Sequence, residues 1–149
     1  TAVVMVGEHR GIGLHNLLWI LRTFPNHFKN FIFVSVGIVD VESFSAKKEL
    51  TTMQENTNEM LDYFVNYCQQ QGLAAKGFAA YGTDPTEKLT RLSKKIIKEF
   101  PHSLFFASKL IFSKDNWITR LLHNETAVML QRRLHLLGVQ LVILPMKID

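Results

Sequence analysis

Apolar and polar positions along this chain repeat with two different periods, and the periods take turns. Ala2-Val-Val-Met-Val6 is a short unbroken apolar run. Asn30 to Val36, reading Asn-Phe-Ile-Phe-Val-Ser-Val, is apolar at nearly every position, as a strand covered on both faces must be. Between them, Leu14 to Phe24 carries helix patterning that Pro25 closes. From Lys47 to Gln71 the apolar residues Leu50, Met53, Met60, Leu61, Phe64, Tyr67 and Cys68 recur at three- and four-residue steps. That spacing predicts a long amphipathic helix, ended by Gly72, whose other face carries Glu, Gln and Asn.

Leu73 to Tyr81 reads as a third strand, weakened by Lys76, Gly77 and four alanines and therefore expected at a sheet edge. Asp84-Pro85-Thr86-Glu87 then combines an N-cap, a proline at the first helical position and an acid at the third. The helix it opens is expected to run to Phe100, with Leu89, Leu92, Ile96 and Phe100 inward. Pro101 ends it. Ser103 to Phe112 is a fourth strand, Trp117 to Leu137 a helix with a break expected near His123-Asn124, and Val139 to Leu144 a fifth strand. The order βαβαβαβαβ calls for right-handed crossovers and so for a parallel sheet with helices on both faces. The fold class is therefore α/β, a three-layer sandwich over residues 1–149, with no linker or composition shift to mark a second domain.

Composition narrows the setting. With 149 residues, 47% of them hydrophobic, the chain can bury a full core without disulfides. Its longest apolar stretches, Asn30 to Val39 and Leu136 to Met146, fall short of the roughly 20 residues that span a bilayer. Cys68 is the single cysteine, which fits a reducing cytosol, and its place in the helix pattern reads as core packing. The net charge of +4 is mild, and Lys47-Lys48, Lys94-Lys95 and Arg132-Arg133 suit solvated helix faces. No nucleic-acid partner is expected, although a surface near anionic lipid would suit the same charge. The chain opens on Thr1 and enters a strand at once, so it is expected to be a piece of a longer protein.

Candidate chemistry sits beyond the carboxyl ends of the strands, where open α/β sheets bind ligands. Gly7, Glu8, His9, Arg10 and Gly11, with Gly13, follow the first strand and could form an anion-binding turn at a helix N-terminus. The spacing is neither a dinucleotide fingerprint nor a Walker loop. A strand-to-helix turn needing positive φ explains the same glycines. Glu8 and His9 form an adjacent acid/base pair, yet no nucleophile or second carboxylate motif accompanies them, so catalysis is not expected. The six histidines show no metal-ligand spacing. Asp40 follows the second strand, where an acid can meet a ribose or an adenine edge, and Gly82 follows the third. Ser108 and Lys109 lie toward the end of the fourth strand, and Lys109 with Lys114 could hold phosphate through side chains. His123 and Asn124 mark the expected helix break, with Asn124 equally suited to cap the next segment.

Five strands of this length, the Gly82-Thr83-Asp84-Pro85 turn, and a helix ending in Gly138-Val-Gln-Leu-Val-Ile-Leu-Pro145 resemble the universal stress protein fold, of the adenine nucleotide alpha hydrolase-like type, over the whole chain. The resemblance implies strand order 3-2-1-4-5 and a homodimer paired through an exposed fifth strand, Val139 to Leu144. A narrower resemblance is carried by Val6-Gly-Glu-His-Arg-Gly11, by Phe28-Lys-Asn-Phe-Ile-Phe-Val-Ser-Val-Gly37 with Val39-Asp40, and by Leu122-His-Asn-Glu-Thr-Ala127 with Gln131-Arg-Arg-Leu134. These segments are similar to the cytoplasmic C-terminal domains of bacterial permeases of the amino acid, polyamine and organocation superfamily. That implies a non-catalytic regulatory or interaction domain at the cytoplasmic face of the bacterial inner membrane, partnered by the transmembrane transporter region of the same chain. ATP-binding universal stress proteins carry glycines after the fourth strand and before the last helix. Here no glycine stands between Gly82 and Gly138, and His123 and Asn124 occupy the place of the family's Gly-Ser. An ordinary ATP cradle is therefore not expected. The ligand implied is an adenine nucleotide held differently, or a cyclic dinucleotide. Two rival readings are a free-standing universal stress protein that binds an adenine nucleotide, and an enzyme using Glu8, His9 and His123.

Overall fold

The computed structural model describes residues 1–7, 9–39, 46–112 and 117–148. Strands and helices alternate as β1 (Ala2–Met5), α1 (Arg10–Thr23), β2 (Asn30–Ile38), α2 (Ala46–Gln70), β3 (Ala74–Gly82), α3 (Pro85–Glu99), β4 (Leu104–Phe112), α4 (Trp117–Leu136) and β5 (Leu141–Ile148). All five strands join one parallel sheet in the order β3-β2-β1-β4-β5. β1 is central, with Val3 opposite Ile32 on one side and Phe105 on the other.

Alternate side chains divide between two apolar layers. Val4, Phe31, Phe33 and Phe106 pack with Leu17 and Ile20 of α1 and with Phe64 and Cys68 of α2. Val3, Ile32, Val34 and Phe105 pack with Ile96 of α3 and with Leu130 and Leu134 of α4. From Phe31 to Val36 β2 is apolar at every position but Ser35 because both of its faces are covered.

The helix ends follow the chain's punctuation. Asp84 caps α3 by accepting from the Thr86 and Glu87 amides at 3.1 and 3.3 Å. Gly72 and Gly138 take φ values of +77° and +74° just past α2 and α4. In both places the following residue reaches back five positions, Leu73 N–H to Cys68 and Val139 N–H to Leu134, which is the Schellman closure that a left-handed glycine permits.

Beyond shifts of one or two residues at other element ends, three features depart from the sequence reading. α1 begins at Arg10 rather than Leu14 and takes Gly11 and Gly13 into its first turns. The positive-φ explanation of those glycines fails, since among the described residues only Gly72 and Gly138 are glycines in that region. Gly13 is required for space: a Cβ there would lie 2.6 Å from Phe64 Cζ and 3.0 Å from Val6 Cγ1. α4 runs unbroken through His123 and Asn124. Its packed positions Ala127, Leu130 and Leu134 recur at helical spacing, and tertiary packing overrides a weak local polar signal. β5 starts at Leu141, two residues late, because Val139 belongs to the closure of α4, and it continues through Pro145 to Ile148.

Pro145 is tolerated because of its parity. In a parallel ladder a residue's N–H and C=O point to the same side, and successive residues alternate. Phe105 N–H donates to Gln140 C=O, so even-numbered residues of β5 face β4 and odd ones face the open edge. The missing N–H of Pro145 therefore costs no ladder bond.

Candidate functional site

The chain leaves β1 toward β2 through α1 and leaves β4 toward β5 through α4, in opposite directions along the sheet. The switch point thus lies between the carboxyl ends of β1 and β4. Gly7, His9, Arg10 and Gly11 form its β1 side, and Ser108 its β4 side.

The N-terminus of α1 is open. His9 occupies the cap position with φ −88° and ψ 92° and makes no side-chain cap bond, and the first turn holds no acid. Ile12 and Gly13 donate to His9 C=O at 3.1 and 3.4 Å. The Arg10 and Gly11 amides have no partner among the described residues. By contrast, α3 begins on its own carboxylate, Asp84. An uncapped N-terminus carries partial positive charge from aligned peptide dipoles and favours an anion. Gly7 and Gly11 leave its approach free, since a Cβ at either would meet nothing within 4 Å.

Arg10 lays its charge on α2. Its guanidinium lies 4.5 Å from the ring centroid of Tyr63 on α2, a cation–π contact worth about 0.5–1 kcal/mol at an exposed site. Arg10 is thereby tethered beside the α1 N-terminus.

Beneath the turn, Asn16 donates from Nδ2 to Ser108 Oγ and so ties α1 to β4. Asn16 is 0% exposed, and its buried Oδ1 has no hydrogen-bond partner among the described residues. Such an orphaned acceptor costs about 1–3 kcal/mol. Asn16 was not among the residues expected from the sequence, yet a signal exists. Gly13, Asn16, Leu17 and Ile20 share the inward stripe of α1, so an amide falls where the helix period asks for an apolar group.

The remaining expected residues scatter. Gly82 ends β3, separated from β1 by the whole of β2, roughly 10 Å at ordinary strand spacing. It does not join the switch point, and the Lys88 side chain lies over it. Lys109 lies in β4, opposite Pro145. His123 and Asn124 lie in the second turn of a continuous α4, so neither ends nor begins a helical segment. Glu8, Asp40 and Lys114 lie outside the described residues. Among the described residues no group of three or more His, Cys, Asp or Glu could hold a metal ion, and no helix is long and apolar enough to cross a membrane.

The site can thus bind an anion through backbone amides and offer a buried amide nearby. It places no nucleophile beside a base among the described residues. Comparison with protein-family models, with curated proteins and with solved structures gives no match for this chain.

Proposed function

We propose that this chain is a non-catalytic regulatory domain of a bacterial membrane transporter of the amino acid permease type, which binds a phosphate-bearing ligand at the β1–β4 switch point. One observation carries the binding part: the N-terminus of α1 opens at the switch point with no side-chain cap among the described residues, above a buried amide whose oxygen has no partner among them. A phosphate suits the Arg10 and Gly11 amides, which have no partner among the described residues. The absence of glycine between Gly82 and Gly138 argues against a cradle shared with the fourth-strand loop, so an adenine nucleotide or a cyclic dinucleotide would be gripped from the β1 side. The transporter part is supported by the segments around Val6 to Gly11, Phe28 to Asp40 and Leu122 to Leu134. Ligand binding would bias the transporter only through different affinity for its two states.

Self-association through β5 belongs to this reading, in a specific register. Leu141 C=O faces the open edge and already accepts from Gln131 Nε2 at 2.9 Å. In an antiparallel pair with Ile143 opposite its own copy, Leu141 lies opposite Pro145. The one donor that Pro145 lacks is then the one that Leu141 C=O does not need.

A thermal-shift screen with ATP, AMP and cyclic dinucleotides tests the binding. A ligand at 100 times its Kd adds about 2.7 kcal/mol to stability, which for 149 residues raises the midpoint by about 9 °C. If none of these compounds moves the midpoint, the switch point is not a nucleotide site.

A further inference from the structure

The two edges of the sheet are finished differently. On β5, Pro145 removes one outward donor and Gln131 takes up one outward acceptor, devices that blunt an edge against uncontrolled pairing. On β3 neither device is present. Ala74 N–H donates to Lys29 C=O, and Gly82 C=O accepts from Val39 N–H, so even-numbered residues of β3 face β2. Ala75, Gly77, Ala79 and Tyr81 then turn both N–H and C=O to the open edge, and none of these groups has a backbone partner among the described residues. No residue of β3 is buried, and the small side chains at 75, 77 and 79 leave the approach to the backbone clear.

One side of this edge is basic. Lys76 Nζ lies 5.1 Å and Lys95 Nζ 5.9 Å from the ring centroid of Phe78, while Lys88 lies over Gly82. Lys88 and Lys95 form no salt bridge among the described residues, and Lys76 meets Glu99 only at an exposed 3.9 Å. We infer that the β3 edge accepts an extended acidic peptide as a sixth strand, with main-chain bonds to Ala75, Gly77, Ala79 and Tyr81 and with carboxylates on the α3 side meeting Lys95 and Lys88. This is strand addition, in which the backbone supplies affinity and alternate side chains supply specificity. Phe78 and Gly82 are four residues apart, so the matching carboxylates are spaced four residues apart on one face, about 13 Å.

A second copy of this chain fits the edge poorly. Continuous antiparallel pairing of β3 with itself keeps α3 on the same side of the joined sheet and sets its lysines against those of the copy, a like-charge contact that disfavours the pair.

The test uses the chain itself with a fluorescent seven-residue peptide of β-branched residues carrying glutamate at its second and sixth positions, and a lysine counterpart. The glutamate peptide is expected to slow hydrogen exchange at the Ala75, Gly77, Ala79 and Tyr81 amides and at no other strand, and to bind roughly tenfold more tightly than the lysine peptide, as two exposed ion pairs would give. Ala79→Pro removes one outward donor without touching the ladder and should weaken binding. If that variant misfolds, the surface pair of half-buried Lys88→Glu with exposed Lys95→Glu decides, since it should reverse the preference to the lysine peptide. The inference is overturned by unchanged exchange at the four amides under saturating peptide, by equal affinity for the two peptides, or by protection of these amides that rises with protein concentration in the absence of peptide.

Discussion

Replacing Asn16 with leucine should stabilise the protein, although Asn16 is fully buried and hydrogen-bonded. The wild-type side chain makes one bond, from Nδ2 to Ser108, and strands one acceptor, Oδ1. Losing the bond costs about 0.5–1.5 kcal/mol, while removing the orphan regains about 1–3. Leucine also exceeds asparagine in helix propensity, by about half a kcal/mol in the interior of α1. The two methyls are wider than an amide's oxygen and nitrogen, and the half-buried Ser108 side takes up that width while its hydroxyl turns to water. The net gain is about 1–2 kcal/mol. For 149 residues, an unfolding entropy of about 2.1 cal/mol/K per residue converts this into a rise of about 3–6 °C in Tm. Urea denaturation followed by circular dichroism reads it as a higher midpoint at unchanged slope. A loss of more than about 1 kcal/mol would refute the reasoning, because it would mean that Oδ1 has a donor in solution. Any nucleotide that raises the wild-type midpoint should raise that of Asn16→Leu by less.

Two further outcomes follow from the packing. Gly13→Ala should destabilise by about 1–2 kcal/mol, because overpacking against Phe64 and Val6 outweighs the roughly 1 kcal/mol that alanine gains in a helix; in a Phe64→Leu background the same change should become neutral or stabilising, and equal effects in both backgrounds, read from urea midpoints, would break the argument. Cys68 is 0% exposed, and burial pushes its thiol from 9.0 up to about 12, so a thiol reagent at pH 8 should label it only after unfolding. The folded state holds that proton more tightly than the unfolded one, so the thiol's contribution to stability is constant below pH 9 and declines as pH rises toward 12, which a series of alkaline urea titrations against Cys68→Ala would resolve.

Most of the architecture was legible because its signals are local. Asp84 with Pro85, and the glycines at 72 and 138, fix helix ends through bonds within a few residues. The apolar run of β2 announces a strand between two helical layers, and both layers are there. The candidate site was legible at Gly7 to Gly11 on its β1 side and at Ser108 on its β4 side, while Gly82, His123 and Asn124 fall elsewhere. Gly13 looked like part of a ligand loop because a glycine required by Phe64, fifty-one positions away, is indistinguishable in sequence from one required by a phosphate. His123-Asn124 looked like a break because local polarity was read without the packing of Ala127, Leu130 and Leu134 that carries α4 through. Asn16 is legible in the helix period as a polar member of the inward stripe Gly13, Asn16, Leu17 and Ile20, but its partner Ser108 lies ninety-two positions away and has no local signal.

The edges of the sheet make the same point in energetic terms. Apolarity singled out the fifth strand as the surface that must be covered, yet Leu141 and Leu144 are buried within their own chain, one in each helical layer. Side-chain hydrophobicity in a doubly covered sheet records the helices above and below, not the free edge beside. What decides an edge is the direction of the backbone groups, and this has a period of two that side-chain composition does not report. By that measure β5 offers an edge interrupted by Pro145 and Gln131, compatible with one register of self-pairing. β3, weak in sequence because of its alanines and glycine, offers the uninterrupted ladder for the same reason: residues too small to cover their own backbone leave it open to another strand.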